Sequence, residues 1–165
     1  MTQQYQLAQL NIAELKAPLD SPELADFVAN LDRINALAES SEGYVWRLKT
    51  DDGDATAIRD FGDSTLVNMS VWKDVDALNT YVYRSGHVDI MRRRREWFER
   101  MANIHMVLWW IPEGHLPTVE EAAERLALLR LQGSSPAAFT FRQAYPPPGA
   151  AQGVEPHDHG DACTA

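Results

Sequence analysis

His87 and Arg94 are the two side chains of this sequence best suited to chemistry, and their spacing places them together. The residues His87, Met91, Arg94, Phe98 and Met101 advance in steps of four and three, so all five fall on one face of a predicted helix. An imidazole suits proton transfer near neutral pH, and a guanidinium can hold a carboxylate or enolate oxygen in its planar fork. We therefore predict that His87 is a catalytic base and that Arg94 stabilises a developing oxyanion. The alternatives are a His that hydrogen-bonds the preceding turn and an Arg in a buried structural ion pair.

Further polar and aromatic residues are candidates for holding a substrate. Gln9 and Asn11 share one face of the first predicted strand, and polar groups in an apolar cavity often fix the orientation of a ligand. Tyr81 and Arg84 precede a Ser-Gly pair that interrupts the predicted helix, where side chains can converge. Edge-strand polarity competes with this interpretation for the first pair, and core or dimer packing competes for the aromatic residues. The predicted substrate-binding residues are Asn11, Gln9, Tyr81, Arg84 and Trp72.

Hydrophobic periodicity predicts the elements that position these residues. Alternating patterns predict strands at 5–13, 43–49, 66–72 and 104–111. Patterns of 3.6 residues, with Ser21, Asp74 and Thr118 as N-caps, predict helices at 22–39, at 75–83 continued after a break by 87–101, and between Thr118 and Gly133. The element order βαββαβ predicts an α+β, ferredoxin-like fold with an antiparallel sheet. An extra C-terminal helix and an extended arm follow it.

The predicted topology leaves one face of the sheet without a helix. Right-handed crossovers place both helical connections on the same face. Alternation in the second strand puts Tyr44, Trp46 and Leu48 together on one face. If that were the bare face, their apolar surface would remain wet at a cost of about 25 cal/mol per Å². We therefore predict a homodimer in which two copies pack through their sheet faces, which is a dimeric α/β-barrel.

Length and composition restrict the class of protein. The chain has 165 residues, of which 45% are hydrophobic and 24% charged, so one domain over residues 1–149 is expected. The net charge of -9 argues against nucleic-acid binding, which requires many Lys and Arg contacts to phosphates. No apolar run approaches the roughly 18 residues of a membrane span, and no signal-peptide pattern is visible. With Cys163 as its one cysteine, the chain is predicted to be cytoplasmic.

Two segments show no hydrophobic periodicity. Residues 51–63 carry five Asp and are predicted to connect the second and third strands. Residues 150–165 are predicted to be a disordered tail. The tail has the composition of a metal chelator, but a disordered chain offers no preorganised geometry, so no metal site is expected there. The residues concerned are His157, Asp158, His159, Asp161 and Cys163.

Three runs of the chain resemble a known bacterial family. They are SVWKDVDALNTYVYRSGHVDIMRRRREWF, VLWWIPEGHLPTVEEAAERL and AFTFRQAYPPPG, and the similarity covers most of residues 5–149. The family is catalogued as a domain of unknown function and is grouped with the dimeric α/β-barrel superfamily. The resemblance implies a ferredoxin-like dimer with a pocket between sheet and helices. The superfamily includes cofactor-independent quinol monooxygenases, haem-degrading oxygenases, isomerases and cyclases, and fold alone does not choose among them.

The haem-degrading members provide a comparison residue by residue. They use an Asn on the first strand, and Asn11 matches it. Their Trp position falls on Tyr81 and their axial His position falls on Met91, while His87 lies one turn earlier. Two of three positions differ, so haem degradation by that mechanism is not expected. A haem ligated by His87 stays open as an alternative, and no cofactor is predicted.

Together these residues predict a small-molecule pocket protein. The leading interpretation is a cofactor-independent monooxygenase, isomerase or cyclase that acts on an aromatic or enolisable substrate. In it, His87 moves a proton and Arg94 holds the oxyanion. The alternatives are a non-catalytic ligand-binding module and a haem-binding protein with His87 as axial ligand.

Overall fold

Four antiparallel strands form the sheet in the computed structural model, which describes residues 3–49 and 64–149. They are β1 (Tyr5–Glu14), β2 (Tyr44–Arg47), β3 (Thr65–Trp72) and β4 (Met106–Pro112), in the spatial order β2-β3-β1-β4. Strand β1 therefore lies at the centre, paired with β3 and β4. The predicted connection at 51–63 and the predicted tail at 150–165 lie outside the described residues.

The helices occupy the two crossovers and the C-terminal region. They are α1 (Ala25–Glu39), α2 (Val75–Arg84), α3 (His87–Arg92), α4 (Arg94–Trp97) and α5 (Val119–Gln132). Helix α1 connects β1 to β2, and α2 to α4 connect β3 to β4. This arrangement confirms the predicted ferredoxin-like βαββαβ topology with an extra C-terminal helix. No helix among the described residues is long and apolar enough to cross a membrane.

Two of the three predicted helix caps are formed. The Asp74 carboxylate accepts a hydrogen bond from the Ala77 amide at 2.8 Å, and Thr118 Oγ1 accepts from the Glu121 amide at 3.1 Å. Each bond satisfies a first-turn amide that has no partner within its helix. Ser21 makes no cap, because a 3₁₀ turn at Pro22–Leu24 precedes α1 and the Ser21 hydroxyl donates to the Pro18 carbonyl instead.

The predicted continuous helix at 87–101 is wrong, because the helix breaks at Arg93. The Arg93 backbone has φ -94° and ψ 1°, and its guanidinium donates to Asp26 Oδ2 at 2.7 Å and to Glu96 Oε2 at 2.8 Å. The same guanidinium lies 4.8 Å from the ring centroid of Trp97. After α4 the chain is extended, and Phe98 forms an isolated β-bridge with Leu15. The end of this crossover is therefore fastened beside the end of β1.

Each face of the sheet carries its own buried cluster. Leu7, Trp72 and Leu108 belong to the cluster on the side of α1 and α2. Leu10 and Trp109 belong to the opposite cluster, which α5 completes with Ala122, Leu126 and Leu129. The expectation that this whole face is bare is wrong, since α5 covers the part formed by β1 and β4. The homodimer stays a prediction.

A β-bulge in β2 separates side chains that were expected on one face. Tyr44 pairs with Trp72 and Trp46 pairs with Val71, so the register shifts between them. The Tyr44 and Trp72 rings meet edge to face with centroids 5.7 Å apart on the side of α2, whereas Trp46 and Leu48 pack on the side of α5. An extra residue in one strand of a pair produces such a change of side.

The segment after α5 forms an arm. Phe139 exchanges two backbone hydrogen bonds with Leu108, at 2.8 and 2.9 Å, as an isolated bridge at the edge of β4. Phe139 and Phe141 are buried, which anchors the arm against the sheet.

Candidate functional site

A cavity of about 190 Å³ lies between the sheet and helices α1, α2 and α3. Its floor is polar, because alternate residues of three neighbouring strands face it. Its walls come from the crossovers and are mainly apolar. The floor residues include Gln9, Asn11, Arg47, Asn68 and Ser70, and the wall residues include Phe27, Leu31, Ile34, Leu78, Tyr81, Val82, His87, Ile90, Met91, Arg94 and Phe98.

Hydrogen bonds fix most of the polar floor. The register places Gln9 opposite Ser70 and Asn11 opposite Asn68. Gln9 Nε2 donates to Asn68 Oδ1 at 2.6 Å and to Ser70 Oγ at 2.8 Å. The Trp72 indole N–H also donates to Ser70 Oγ, at 2.8 Å. Because Ser70 Oγ accepts twice, its own hydrogen remains available as a donor. Gln9 therefore serves mainly to hold the floor together.

Asn11 differs from Gln9 although the two lie two residues apart on the same strand face. The Asn11 side-chain oxygen is buried and has no hydrogen-bond partner among the described residues. Buried polar atoms in folded proteins nearly always have a partner, so an exception can indicate a functional role. Asn11 Oδ1 can therefore accept a hydrogen bond from a ligand in the cavity.

His87 is the titratable group of the cavity wall. Its Nδ1 atom is buried without a partner in the described part of the chain. Burial lowers the pKa of His87, an effect that a backbone hydrogen bond with Val82 opposes. At neutral pH the ring is therefore uncharged and carries one N–H donor and one nitrogen lone pair. The break before α3 sets its position, since Ser85 Oγ accepts from the His87 amide at 3.2 Å and donates to the Tyr81 carbonyl.

Three rings form one wall of the cavity. Trp72 and Tyr81 stack with centroids 5.0 Å apart and planes at 25°, and the His87 ring follows at 5.0 Å from Tyr81. Burial raises the pKa of the Tyr81 hydroxyl, so this group stays protonated and can donate. Its present acceptor is the Ile34 carbonyl at 3.4 Å, which is long for an O–H donor. Tyr81 can therefore turn toward a ligand at little cost.

The structure gathers six of the seven predicted site residues around this cavity. His87, Arg94, Asn11, Gln9, Tyr81 and Trp72 all line it. Arg84 does not line it; its side chain is exposed at the end of α2, so its predicted placement is wrong. The helix break directs His87 inward, whereas Arg84 lies on the outer side of that break. The roles of the six remaining residues stay predictions.

The sequence interpretation missed part of the floor. Asn68 and Ser70 alternate with the buried Val67, Met69 and Val71, and this period of two was the signal that could have found them. Arg47 also lines the cavity; its side chain is 13% exposed and its Nε lies 2.8 Å from Glu39 Oε1. Alternation places Arg47 on the strand face opposite Trp46 and Leu48, and that face is the one toward the cavity.

The arrangement supplies a neutral base, hydroxyl and amide groups, and an apolar volume. No cluster of three metal-binding side chains occurs within residues 3–49 and 64–149. The chemistry that this set of groups supports directly is hydrogen bonding to a small ligand and removal of a proton from it.

Comparisons with known proteins place the chain in a family. The model of a domain of unknown function, DUF3291, matches residues 6–155. SnoaB, a cofactor-independent oxygenase from Streptomyces nogalater, has a similar structure with a TM-score of 0.42 and 16% identity, over 69% of this chain and 96% of that one. A protein of unknown function from Nitrosomonas europaea gives 0.43 and 19%, over 71% and 99%. A dabb family protein with a ferredoxin-like fold from Mesorhizobium loti gives 0.40 and 17%, over 68% and 98%. No curated protein matches the chain.

Proposed function

The chain belongs to the DUF3291 family, and we propose that it binds a small aromatic or enolisable ligand from which His87 removes a proton. The observation that carries this proposal is the pair of buried atoms His87 Nδ1 and Asn11 Oδ1. Both lack a partner among the described residues, and both residues line the same cavity. Leaving such atoms unpaired costs about 1–3 kcal/mol each, which a ligand with matching groups would recover.

The volume of the cavity limits the ligand to about one ring. An apolar cavity of about 150 Å³ is known to hold benzene, and this cavity measures about 190 Å³. A ring with one or two small polar substituents is therefore the size that fits. The stacked Trp72 and Tyr81 rings favour a planar ligand in addition.

Each polar group has a role in the proposed proton transfer. A neutral His87 accepts a proton from a carbon next to a carbonyl or from a phenol, and the ligand becomes an enolate or phenolate. The protonated Tyr81 hydroxyl donates to the negative oxygen, and Arg94, which lines the same cavity, stabilises its charge. Asn11 Oδ1 orients the ligand by accepting from a hydroxyl or amide. Proton removal is the shared first step of isomerisation, cyclisation and cofactor-independent oxygenation.

A haem at His87 is a poorer fit. Drug-sized ligands occupy pockets of about 300–1,000 Å³, and a haem macrocycle is larger than most of them. The cavity beside His87 is about 190 Å³. Although the unpartnered imidazole nitrogen would suit a ligand to iron, the volume argues against the macrocycle, and no step is assigned to haem.

Proton removal can be measured without knowledge of the final product. The protein would be incubated in D₂O with single-ring ketones such as acetophenone and phenylacetone, and deuterium incorporation would be followed by NMR. We expect exchange that saturates with ketone concentration. His87→Gln should slow it at least about a hundredfold, the usual contribution of a general base. His115→Gln is the matched control, since His115 is exposed and outside the cavity.

Two results would contradict the proposal. One is equal exchange rates in the wild type and His87→Gln. The other is saturable binding of ketones in the cavity with no protein-dependent exchange, which would identify a non-catalytic binding module instead.

A further inference from the structure

A second pocket, of about 410 Å³, lies beside the first and differs from it in charge. Four cationic side chains line it, together with one carboxylate and a histidine. This concentration of positive charge is unusual for a chain with a net charge of -9. The polar lining residues are Lys16, Arg94, Arg95, Glu99, Arg100 and His105, and the apolar ones are Phe98 and Met101.

Backbone hydrogen bonds bring these cations together from separate parts of the chain. The Lys16 amide donates to the Trp97 carbonyl at 2.9 Å, and the Glu99 amide donates to the Glu14 carbonyl at 2.8 Å. The segment after α4 is thereby held alongside the end of β1. The Ile12 amide donates to the His105 carbonyl at 2.9 Å, which places His105 at the same end of β1. The pocket is therefore part of the folded framework.

The four consecutive arginines divide into two groups. Arg92 lies 3.9 Å from Asp89, and Arg93 binds Asp26 and Glu96. Arg94 and Arg95 line the second pocket. Lys16 donates one of its three ammonium hydrogens to the Arg95 carbonyl, which holds the ammonium group at the pocket and leaves two donors.

His105 provides an independent indication of a ligand. The residue is 5% exposed, and its Nε2 atom is buried without a partner in the described part of the chain. Its Nδ1 lies 3.2 Å from the Asn103 carbonyl, which can only accept, so Nδ1 carries a hydrogen. In the neutral ring Nε2 therefore presents a lone pair toward a cationic surrounding. It becomes a donor when the ring gains a proton, and a bound anion would favour that step.

We propose that this pocket binds the carboxylate or phosphate group of an anionic ligand whose ring occupies the cavity beside His87. The inference rests on the proposed function and adds a charge to its substrate class. Arg94 and Phe98 line both spaces, so the two spaces lie side by side. The planar guanidinium groups of Arg94, Arg95 and Arg100 match an oxyanion in geometry and charge. Glu99 opposes the anion with a single negative charge.

Isothermal titration calorimetry with four probes tests the proposal. Phenylacetate and phenylacetamide have nearly the same shape and differ in charge, phenyl phosphate carries the other oxyanion, and inorganic phosphate lacks the ring. We expect one of the two aromatic anions to bind at least about tenfold more tightly than phenylacetamide and than inorganic phosphate, because a charge-assisted hydrogen bond contributes roughly that factor. The tighter of the two identifies carboxylate or phosphate.

The variants Arg100→Gln and Lys16→Gln should each weaken the aromatic anion about tenfold and leave phenylacetamide unchanged. Arg84→Gln removes the same charge from an exposed position outside both spaces and should change neither affinity. Far-ultraviolet circular dichroism would establish that all three variants fold.

Protonation of His105 gives a second, independent measurement. Sulfate keeps its charge between pH 7.5 and 5.5, so a change in its affinity reports on the protein. The charged groups around His105 are Lys16, Arg94, Arg95, Glu99 and Arg100 in the pocket, and Arg130, which donates to the Ile104 carbonyl at 2.7 Å. His105 is the imidazole of this set, and the ordinary pKa of an imidazole lies in that pH range. Sulfate should therefore bind more tightly at the lower pH, and His105→Gln should remove the dependence.

The failures of the two proposals are distinguishable. Equal affinities for phenylacetate, phenyl phosphate and phenylacetamide, or equal effects of Arg100→Gln and Arg84→Gln, would overturn the anion pocket. The proposed function would stand if the neutral ketones still exchanged protons. Binding of inorganic phosphate as tight as that of the aromatic anions would also overturn the anion pocket as a site for an aromatic ligand, because the ring would then contribute nothing to the affinity. Sulfate binding that does not vary with pH would remove the role of His105.

Discussion

Asn11→Leu is expected to stabilise the protein while it abolishes ligand binding. In most cores, replacement of a polar residue breaks hydrogen bonds that hold the fold. Asn11 Oδ1 has no such bond among the described residues, although it is buried. Leucine has a similar volume and contributes no polar atom to the cavity. The substitution therefore removes an unsatisfied group and adds apolar contact with the ring-sized space.

The expected gain in the free energy of unfolding is at the low end of the range for removal of a buried unsatisfied group. A buried unsatisfied acceptor costs about 1–3 kcal/mol. The cavity of about 190 Å³ can admit water, which would satisfy part of the requirement. We therefore expect the free energy of unfolding to rise by about 1 kcal/mol, which corresponds to a melting temperature about 2–4 °C higher for a chain of this size.

Gln9→Met is the matched control on the same strand face. Gln9 Nε2 donates to Asn68 Oδ1 and Ser70 Oγ at 2.6 and 2.8 Å, and both acceptors would lose that donor. We expect a loss of about 1–3 kcal/mol in the free energy of unfolding. Two substitutions of a buried amide by an apolar side chain, two residues apart, should thus have opposite signs.

Urea denaturation and differential scanning calorimetry measure both variants. Calorimetric titration with the ring ligands would establish in parallel whether Asn11→Leu has lost binding. A decrease in stability of Asn11→Leu similar to that of Gln9→Met would refute the reasoning, because Asn11 would then be a structural residue with a partner in solution. If Asn11→Leu is stabilised but its ligand affinity is unchanged, only the proposed role of Asn11 in binding would be refuted.

Three further outcomes are expected. Burial lowers the pKa of both His87 and His105, so the unfolded chain binds protons first as the pH falls below about 6.5, and the free energy of unfolding declines from there toward the folded-state pKa values. His87→Gln and His105→Gln should each reduce the loss in unfolding free energy between pH 7.5 and 5.5. An unchanged loss in both variants would contradict this expectation. Gly43→Ala should lower the free energy of unfolding by about 2–4 kcal/mol, because Gly43 has φ +84° and a Cβ there would lie 2.5 Å from a methyl group of α2. Gly114→Ala is the control, since Gly114 has φ +90° and open space around it, and it should lower the same free energy by about 1 kcal/mol. Equal losses for the two variants in urea denaturation would contradict the importance of the contact at Gly43. Asp74→Ala should destabilise the protein by about 0.5–2 kcal/mol through loss of the α2 cap, and an unchanged midpoint in urea would show that the cap contributes nothing.

The sequence predicted the topology because each element carries its own periodicity. Alternation in β1 placed Gln9 and Asn11 on one strand face, and the helical spacing placed His87 and Arg94 on one side of the second crossover. Both depend only on local geometry, so no knowledge of distant contacts was needed. The cavity unites the two sets because the crossover packs on that same face of the sheet.

The errors lie where a distant residue decides the local structure. The helix ends at Arg92, and the next residue, Arg93, binds Asp26 of α1. Tyr44 and Trp46 face opposite sides because β2 pairs with β3 through a bulge. The hydrophobic periodicity of each segment does not reveal either of these contacts. The second pocket was missed for the same reason, since it depends on how separate segments meet.

Helix α5 has a consequence for how the protein responds to dilution. A sheet layer that is completed by a second subunit loses its cover when the subunits dissociate, and its melting temperature then depends on concentration. In this protein the covering element is α5, which belongs to the same chain as the sheet and packs against it with Ala122, Leu126 and Leu129. Loss of a second copy therefore leaves the surface that α5 covers on β1 and β4 buried within one chain.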